Sequence, residues 1–553
     1  MTTAPERTGE PARRNRLALV VAASAVGTVF EWYDFFIFGS LAAIIGRQFF
    51  SGVGAAQSYL LALLTFAAGF AVRPFGAIIF GWFGDRTGRK RTFLVTITLM
   101  GLATFLVAVL PGHAAIGGSA GYLLVALRML QGFAIGGEYG GAAIYVAEHT
   151  TAHRRGLATS WVQGSAGIGL ALALVVILTV RTAVGETAFA AWGWRVPFAV
   201  SLLLLALSLW IRLKLAESPE FRRIQAAGAL SRAPLAEAFL RWRNLRWVLT
   251  VLFGILAGQG VVWYTAQFYS QFFLERVIAV PPVTVNLLLL VATLASAPLY
   301  LFFGWLSDRI GRKPVMLFGL GLAALGFIPG FHLLAEAANP ALASANARAP
   351  VVVVAPPADC SLQFDLIGRA KFVTACDVAK AALTDRGIAY SNRAAPPGTA
   401  AVILVGHEAI ASVGAAGLGM PAPAIAMRNF AARLRGALAA AGYPLTAAPD
   451  RIDLPLTLAV LLFFLVAATA LYGPQAAALV ELFPTRIRYT ALSVPYHIGV
   501  GWFGGFLPAT AFAIVAATGN LYAGLWYPVA VAGIGFFVTL FFLPETLHRQ
   551  AAQ

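Results

Sequence analysis

The sequence predicts an all-α integral membrane protein: twelve spanning helices in two pseudo-symmetric six-helix bundles, with an exterior insert between helices 9 and 10. Three observations predict it. The 553-residue chain is 59% hydrophobic and 11% charged, with a mean hydropathy of +0.78. A soluble globular protein is about 45–50% apolar and about 25% charged. The chain also holds twelve runs near the roughly 20 apolar residues that a spanning helix needs. Finally, two of its loops, "GWFGDRTGRK" (81–90) and "GWLSDRIGRK" (304–313), match at seven of ten positions.

The spans are expected near 17–45, 57–83, 91–111, 121–147, 156–181, 192–214, 246–274, 283–307, 314–336, 453–481, 489–517 and 522–543. The polar start "MTTAPERTGEPARRNR" and an apolar run too long for a signal-peptide core argue against a cleaved leader. Orientation follows from the basic loops, because short cytoplasmic loops carry an excess of Lys and Arg. Arg13, Arg14 and Arg16 precede the first span, and Arg86, Arg89, Lys90 and Arg91 follow the second. Arg154 and Arg155 follow the fourth, five arginines between Arg222 and Arg243 the sixth, Arg309, Arg312 and Lys313 the eighth, and Arg486 and Arg488 the tenth. The alternate short loops hold Arg47, Arg181 and Arg276 singly. The tails (1–16 and 544–553) and the linker 215–245 are therefore expected in the cytoplasm. The same clustering accounts for the net charge of +17 without a nucleic-acid partner.

Residues 337–452 break the pattern. They hold no spanning run and must lie outside, where long loops escape the charge rule. "TACDVAKAALTDRG" reads as a short helix ending at Gly387, "AAVILVG" as a strand and "MRNFAARLRGALAAAG" as an amphipathic helix. A small α/β domain is expected there. Its two cysteines, Cys360 and Cys376, are the chain's only ones; a disulfide and two free thiols are both open readings.

A second repeat supports two halves, 17–214 and a second bundle divided into 246–336 and 453–543. "EHTTAHRRGLATS" from Glu148 resembles "ELFPTRIRYTALS" from Glu481, each with Glu, Arg seven residues on, then Ala and Ser in register. The offsets of the two repeats, 223 and 333, differ by 110, about the length of the insert. Paired six-helix repeats are a transporter architecture with the site between the halves. In the repeated loop, Asp85 and Asp308 can pair with a guanidinium or accept from a helix N-terminus. Arg89 and Arg312 can reach Glu148 and Glu481. These six residues read as cytoplasmic latches holding the outward-open state; positive-inside anchoring is the plainer alternative.

The pattern resembles the major facilitator superfamily, and in detail its metabolite–proton symporter family, whose members carry organic acids, shikimate-like compounds, betaines or proline. The stretches that carry the resemblance are "EWYDFFIFG" (31–39), "VRPFGAIIFGWFGDRTGRKR" (72–91), "LRMLQGFAIGGEYGGAAIYVAEH" (127–149), "WGWRVPF" (192–198) and "ESPEF" (217–221). It covers nearly the whole membrane portion and weakens after residue 320. The insert is not implied by it.

Ionisable residues inside a membrane are rare and mark function. The first half has Glu31, Asp34, Arg73, Arg128 and Glu138. Glu31 and Asp34, three apart, are expected on one helix face. Arg128, Gln131, Ile135 and Glu138 form a stripe, with Gly132, Gly136 and Gly140 as a packing ridge. A buried carboxylate tends to bind a proton, and a nearby Arg opposes this. The resemblance to proton-coupled members puts an acid on helix one opposite an Arg on helix four, which here are Asp34 and Arg128. Glu138 is the second candidate, and Glu31 is either the carrier or a partner for Arg73. Arg73 reads as the fork that holds a substrate carboxylate, or as half of a buried ion pair. Gln131, Gln259, Tyr264, Gln267, Tyr472, Gln475, Tyr496 and His497 are expected to supply further hydrogen bonds.

No metal spacing, phosphate loop or nucleophile triad appears; the glycines of "GFAIGGEYGG" lie within a spanning helix. No cofactor, ATP or catalytic residue is expected. The function expected is proton-coupled uptake of a small organic acid or zwitterion, by a monomer in the bacterial inner membrane. The rivals are an efflux antiporter and a non-transporting solute sensor, for which the tails are too short to hold a signalling module.

Overall fold

A computed structural model of the chain describes residues 10–53, 55–87, 89–137, 143–144, 146–147, 150–213, 233–361, 374–384, 386–414, 422–484 and 487–547. In the first half these form α1 (Glu10–Ser40), α2 (Ala42–Phe49), α3 (Ala55–Ala71), α4 (Arg73–Thr87), α5 (Arg89–Val109), α6 (Ser119–Ile135), α7 (Arg155–Val184), α8 (Glu186–Gly193) and α9 (Arg195–Leu213). The second half has α10 (Trp242–Val277), α11 (Pro282–Ile310) and α12 (Arg312–Ala338), and after the insert α16 (Leu454–Leu482), α17 (Arg488–Val515) and α18 (Trp526–Phe542). Among the described residues eight helices are long and apolar enough to cross a membrane alone, counting α3 and α4 as one; two bent pairs bring the number to ten. The shorter apolar helices Leu94–Val109 and Ser119–Ile135 stand where the third and fourth spans are expected.

Both bends depart from the expected straight spans. The first span turns by 62° between Ser40 and Ala42. No proline sits there. The Ser40 carbonyl, freed by the break, accepts instead from Gln271 Nε2 of α10 at 3.2 Å, which satisfies a buried acceptor. The sixth span bends by 58° at Trp194, three residues before Pro197, whose missing N–H leaves the Gly193 carbonyl without its helical donor. In the same way Pro74 interrupts the second span at Val72 and sets Arg73 at the start of α4.

The glycines of α6 allow the closest helix approach in the first half. A methyl on Gly132 would lie 1.6 Å from the Gly69 carbonyl oxygen, and one on Gly136 2.3 Å from that of Arg73. The ridge thus carries α6 directly onto α3 and α4.

The insert holds α13 (Pro340–Arg348), α14 (Ala375–Thr384), α15 (Ala422–Ala440) and four strands: β1 (Val351–Ala355), β2 (Ser391–Ala394), β3 (Val402–Val405) and β4 (Glu408–Ala411). The sheet order is β2-β1-β3-β4, with β1 parallel to β2 and antiparallel to β3, and β3 antiparallel to β4. Val351, Val353 and Ala355 point to the buried side while Val352 and Val354 alternate outwards. Cys360 and Cys376 are joined in a disulfide.

Candidate functional site

Two buried guanidinium groups share one aromatic ring. Arg73 and Arg128 are both fully buried. Each places its Cζ over the Phe35 ring, 4.2 and 4.4 Å from the centroid. Phe70 also backs Arg73 at 4.0 Å, and Phe38 backs Arg128 at 4.5 Å. Such cation–π contacts offset part of the cost of burying a cation. Arg128 donates through Nη1 to Gln131 Oε1, and Gln131 Nε2 donates to Thr104 Oγ1 at 2.8 Å. Among the described residues Arg128 Nε and Nη2 have no hydrogen-bond partner. His497 of α17 lies beside Arg73 and Gly136.

The second half closes this chamber with rings of α10. Trp263 stacks on Phe36 at 5.1 Å, Phe268 meets Phe66 at 5.3 Å, and Tyr264 meets Phe70 edge-on at 5.3 Å. Tyr264 lies close to both arginines, and among the described residues its hydroxyl has no hydrogen-bond partner. From the seam a polar chain runs into the second half: Trp263 Nε1 donates to the Tyr300 hydroxyl at 2.8 Å, Tyr300 packs on Tyr472, and Tyr472 and Tyr496 share a hydrogen bond of 3.1 Å. Gln475 and Gln259 are buried, and among the described residues neither amide atom of Gln475 nor the Gln259 Oε1 has a hydrogen-bond partner. Gln267 is tied to Thr293 of α11 at 3.1 Å. The aromatic rings Phe35, Phe38, Phe66, Phe70 and Trp263 are absent from the residues the sequence singles out, though "EWYDFFIFG" carries two of them, Phe35 and Phe38, in plain view.

One expected pairing is not made. Asp34 does not meet Arg128. It is buried beside Ser201 of α9, and its charged neighbour is Glu31. Helix geometry gives the reason. Phe35 and Phe38 take the face towards the arginines, and Asp34 lies about 100° around the helix from Phe35. Glu31, three residues before Asp34, stays its charged neighbour, as their spacing predicts, and lies four residues before Phe35 and seven before Phe38.

At the basic-loop end, Asp308 of α11 accepts from the Gly156 and Leu157 backbone N–H groups at 2.9 and 2.8 Å and from Arg312 at 2.6 Å. Glu481 of α16 accepts from Arg312 and from Arg155, each at 3.3 Å. The corresponding side chains of the first half, Asp85, Arg89 and Glu148, and also Glu138, lie outside the described residues.

At the insert end, the three arginines that look isolated in sequence come together. Arg47, Arg181 and Arg276 form one electrostatic cluster with Glu186 and Glu275. Arg181 pairs with Glu186 at 3.2 Å, and Gln271 donates to Glu275 at 3.0 Å.

Long apolar helices around a buried cationic chamber, with ion pairs bridging two halves, define a helical membrane transporter and not an enzyme. A family model described as "Sugar (and other) transporter" matches residues 19–237 and 437–553. The chain belongs to that family, and so to the major facilitator superfamily. Over 336 residues it is 37% identical to the shikimate transporter of Escherichia coli (strain K12), covering 60% of this chain and 75% of the other. With the proline/betaine transporter of the same strain the identity is 32% over 334 residues, covering 58% of this chain and 65% of that one. The fold matches that of the partially occluded inward-open xylose transporter XylE from E. coli, with a TM-score of 0.60 over 96% of this chain and 98% of the other. At 15% identity that likeness is one of fold.

Proposed function

We propose that the protein is a proton-coupled symporter that takes up a small carboxylated or zwitterionic metabolite across the bacterial inner membrane by alternating access. We read each bent pair as one span and α5 and α6 as two more, which makes twelve. On this reading the basic-loop end and both termini face the cytoplasm and the insert faces outwards. The observation that carries it is the pair Arg73 and Arg128. Two buried like charges in an aromatic box attract an anion, and a guanidinium offers a carboxylate a bidentate fork. Shikimate, proline, betaine and α-ketoglutarate, which name the relatives, all carry a carboxylate. Arg73 and Arg128 then hold the solute, Tyr264, His497, Gln475 and Gln259 orient it, and Asp34 or Glu31 exchanges the proton. The Asp308–Arg312–Glu481 group gates the inner side.

An efflux antiporter for amphipathic compounds is the main rival, and it is favoured by an apolar chamber rather than by two arginines. Purified protein in proteoliposomes separates the two. With an inward proton gradient, a panel of radiolabelled carboxylates and amino-acid betaines should include one that accumulates inside. Accumulation of none, together with outward transport of cationic amphipaths, would overturn the proposal.

A further inference from the structure

We infer that the insert builds an outer binding site for an organic anion with an apolar body, so that solute is held between insert and transporter before it reaches the central arginines. The inference rests on the transport reading above.

A cavity lies where the insert meets the two halves. Its walls include Tyr59 of α3, Phe272 and Arg276 of α10, Phe512 of α17, and Ile388 and Tyr390 of the insert. All three parts of the molecule therefore contribute to it. Hydrogen bonds to backbone carbonyls tie the insert wall to the second half. The Tyr390 N–H donates to the Gly519 carbonyl at 3.1 Å, Asn392 Nδ2 to the Thr518 carbonyl at 3.1 Å, and the Ala447 N–H to the Ala279 carbonyl at 2.9 Å. Gly387, with φ +66°, sits so close that a methyl there would lie 2.3 Å from the Arg276 carbonyl oxygen. Tyr59 comes from the first half. A cavity walled by both halves changes shape when they rock, which is what a site on the solute path requires.

The lining states the chemistry. Tyr59, Phe272, Phe512 and Tyr390 supply aromatic surface, and Tyr59 packs on both Phe272 and Phe512 with centroids 5.9 Å apart. Arg276 is the cation of the wall, held over the Tyr59 ring at 4.6 Å. Glu275 and Glu186 lie nearby, yet among the described residues of this cluster Arg47, Arg181 and Arg276 outnumber them three to two. A ring-bearing carboxylate fits: its anion meets Arg276 and its body meets the aromatic walls. Arg276 is twelve residues beyond Tyr264 on α10, roughly 18 Å at 1.5 Å per residue, so the outer and central sites are separate.

Equilibrium dialysis of the full-length protein in lipid nanodiscs with radiolabelled benzoate tests this. The native protein should bind two equivalents, and Arg73→Gln/Arg128→Gln one. On that double background Arg276→Gln should remove the remaining equivalent, and so should Ile388→Trp, which fills the cavity without changing charge. An unchanged melting temperature shows that each variant is folded. Loss of all binding in Arg73→Gln/Arg128→Gln, or binding on that background that survives Arg276→Gln or Ile388→Trp, overturns the inference. Failure of the transport reading looks different: the outer equivalent stays while proton-driven uptake is absent.

Discussion

The Asp308 carboxylate of the second half caps a helix of the first, accepting the Gly156 backbone N–H at 2.9 Å and its neighbour Leu157 at 2.8 Å. The first N–H groups of a helix have no internal partner and form the positive end of its dipole, so a carboxylate there is stabilised. Because α7 and α11 lie in different halves, this end opens only by breaking the cap. Asp308→Asn keeps the shape but loses the charge and one acceptor oxygen. The expected cost to the closed arrangement is about 1–2 kcal/mol, a roughly 5- to 30-fold shift towards opening. Ser160→Cys, buried beside Gly304 when closed, reports it, since the described chain has no free cysteine to compete. Its alkylation rate should rise by that factor in the Asn variant; an unchanged rate means that the cap does not hold the halves together.

Gly132 makes a second prediction. The atom that a methyl would strike, the Gly69 carbonyl oxygen, is backbone, so no side-chain rotation relieves the clash. Gly132→Ala must push α6 off α3 and displace Arg128 with it, at a cost of about 1–3 kcal/mol or more. Gly533 has nothing within 4 Å of the equivalent position, and Gly533→Ala is the control, neutral or slightly stabilising. Thermal melting in detergent should separate the two by several degrees. Matching curves would mean that α6 and α3 do not need their close approach.

The repeated loop made Asp308, Arg312 and Glu481 legible, because the same residue types recur in both halves at corresponding places. It did not show that the cap crosses to Gly156, since a backbone N–H leaves no trace in residue type. The bend after Ser40 was hidden for a similar reason: the group that satisfies its freed carbonyl, Gln271, is 231 residues away. Spacing grouped Glu31 with Asp34, and the two are charged neighbours; that Phe35 and Phe38, rather than Asp34, meet the arginines is a matter of packing that spacing does not show. Arg47, Arg181 and Arg276 looked incidental because the residues between them in sequence say nothing of their meeting in space. The strand at "VVVVA" passed unnoticed within an Ala- and Pro-rich stretch whose partners lie 40 to 60 residues further on.

The disulfide of the insert carries the third prediction. Cys360 and Cys376 are 16 residues apart, and closing a loop of that size stabilises by about 3 kcal/mol, chiefly through the unfolded chain. Beside it, Asp377 accepts from the Ser361 backbone N–H at 2.8 Å and from its hydroxyl at 2.9 Å, so local bonds remain when the link is cut. Cys360→Ser/Cys376→Ser should therefore leave the insert folded but open more often, by a factor of about 100. Tryptic cleavage after Arg386 and Arg393, followed by gel on the native-state protein, should accelerate by that order. Equal rates would show that the insert is held by its docking on the second half and not by the cross-link.

The last prediction separates the two acids of the first span. Asp34 is buried beside Ser201, and among the described residues its Oδ1 has no hydrogen-bond partner and its charged neighbour is Glu31 rather than a cation. A carboxylate in such a place is a site for a travelling proton. Asp34→Asn cannot take that proton but fills the same volume. In proteoliposomes it should lower uptake driven by a pH gradient by at least about ten-fold, the effect of roughly 1.4 kcal/mol, while exchange of labelled for unlabelled solute at equal pH continues. Glu31→Gln, made four residues before Phe35, should instead weaken the affinity for solute and leave the dependence on the gradient intact. If the two variants give the opposite pattern, the proton travels along the Phe35–Phe38 face and Asp34 only packs against α9. That outcome would join proton and solute in one chamber, in direct reach of Arg73 and Arg128, rather than couple them through a rotation of the first span.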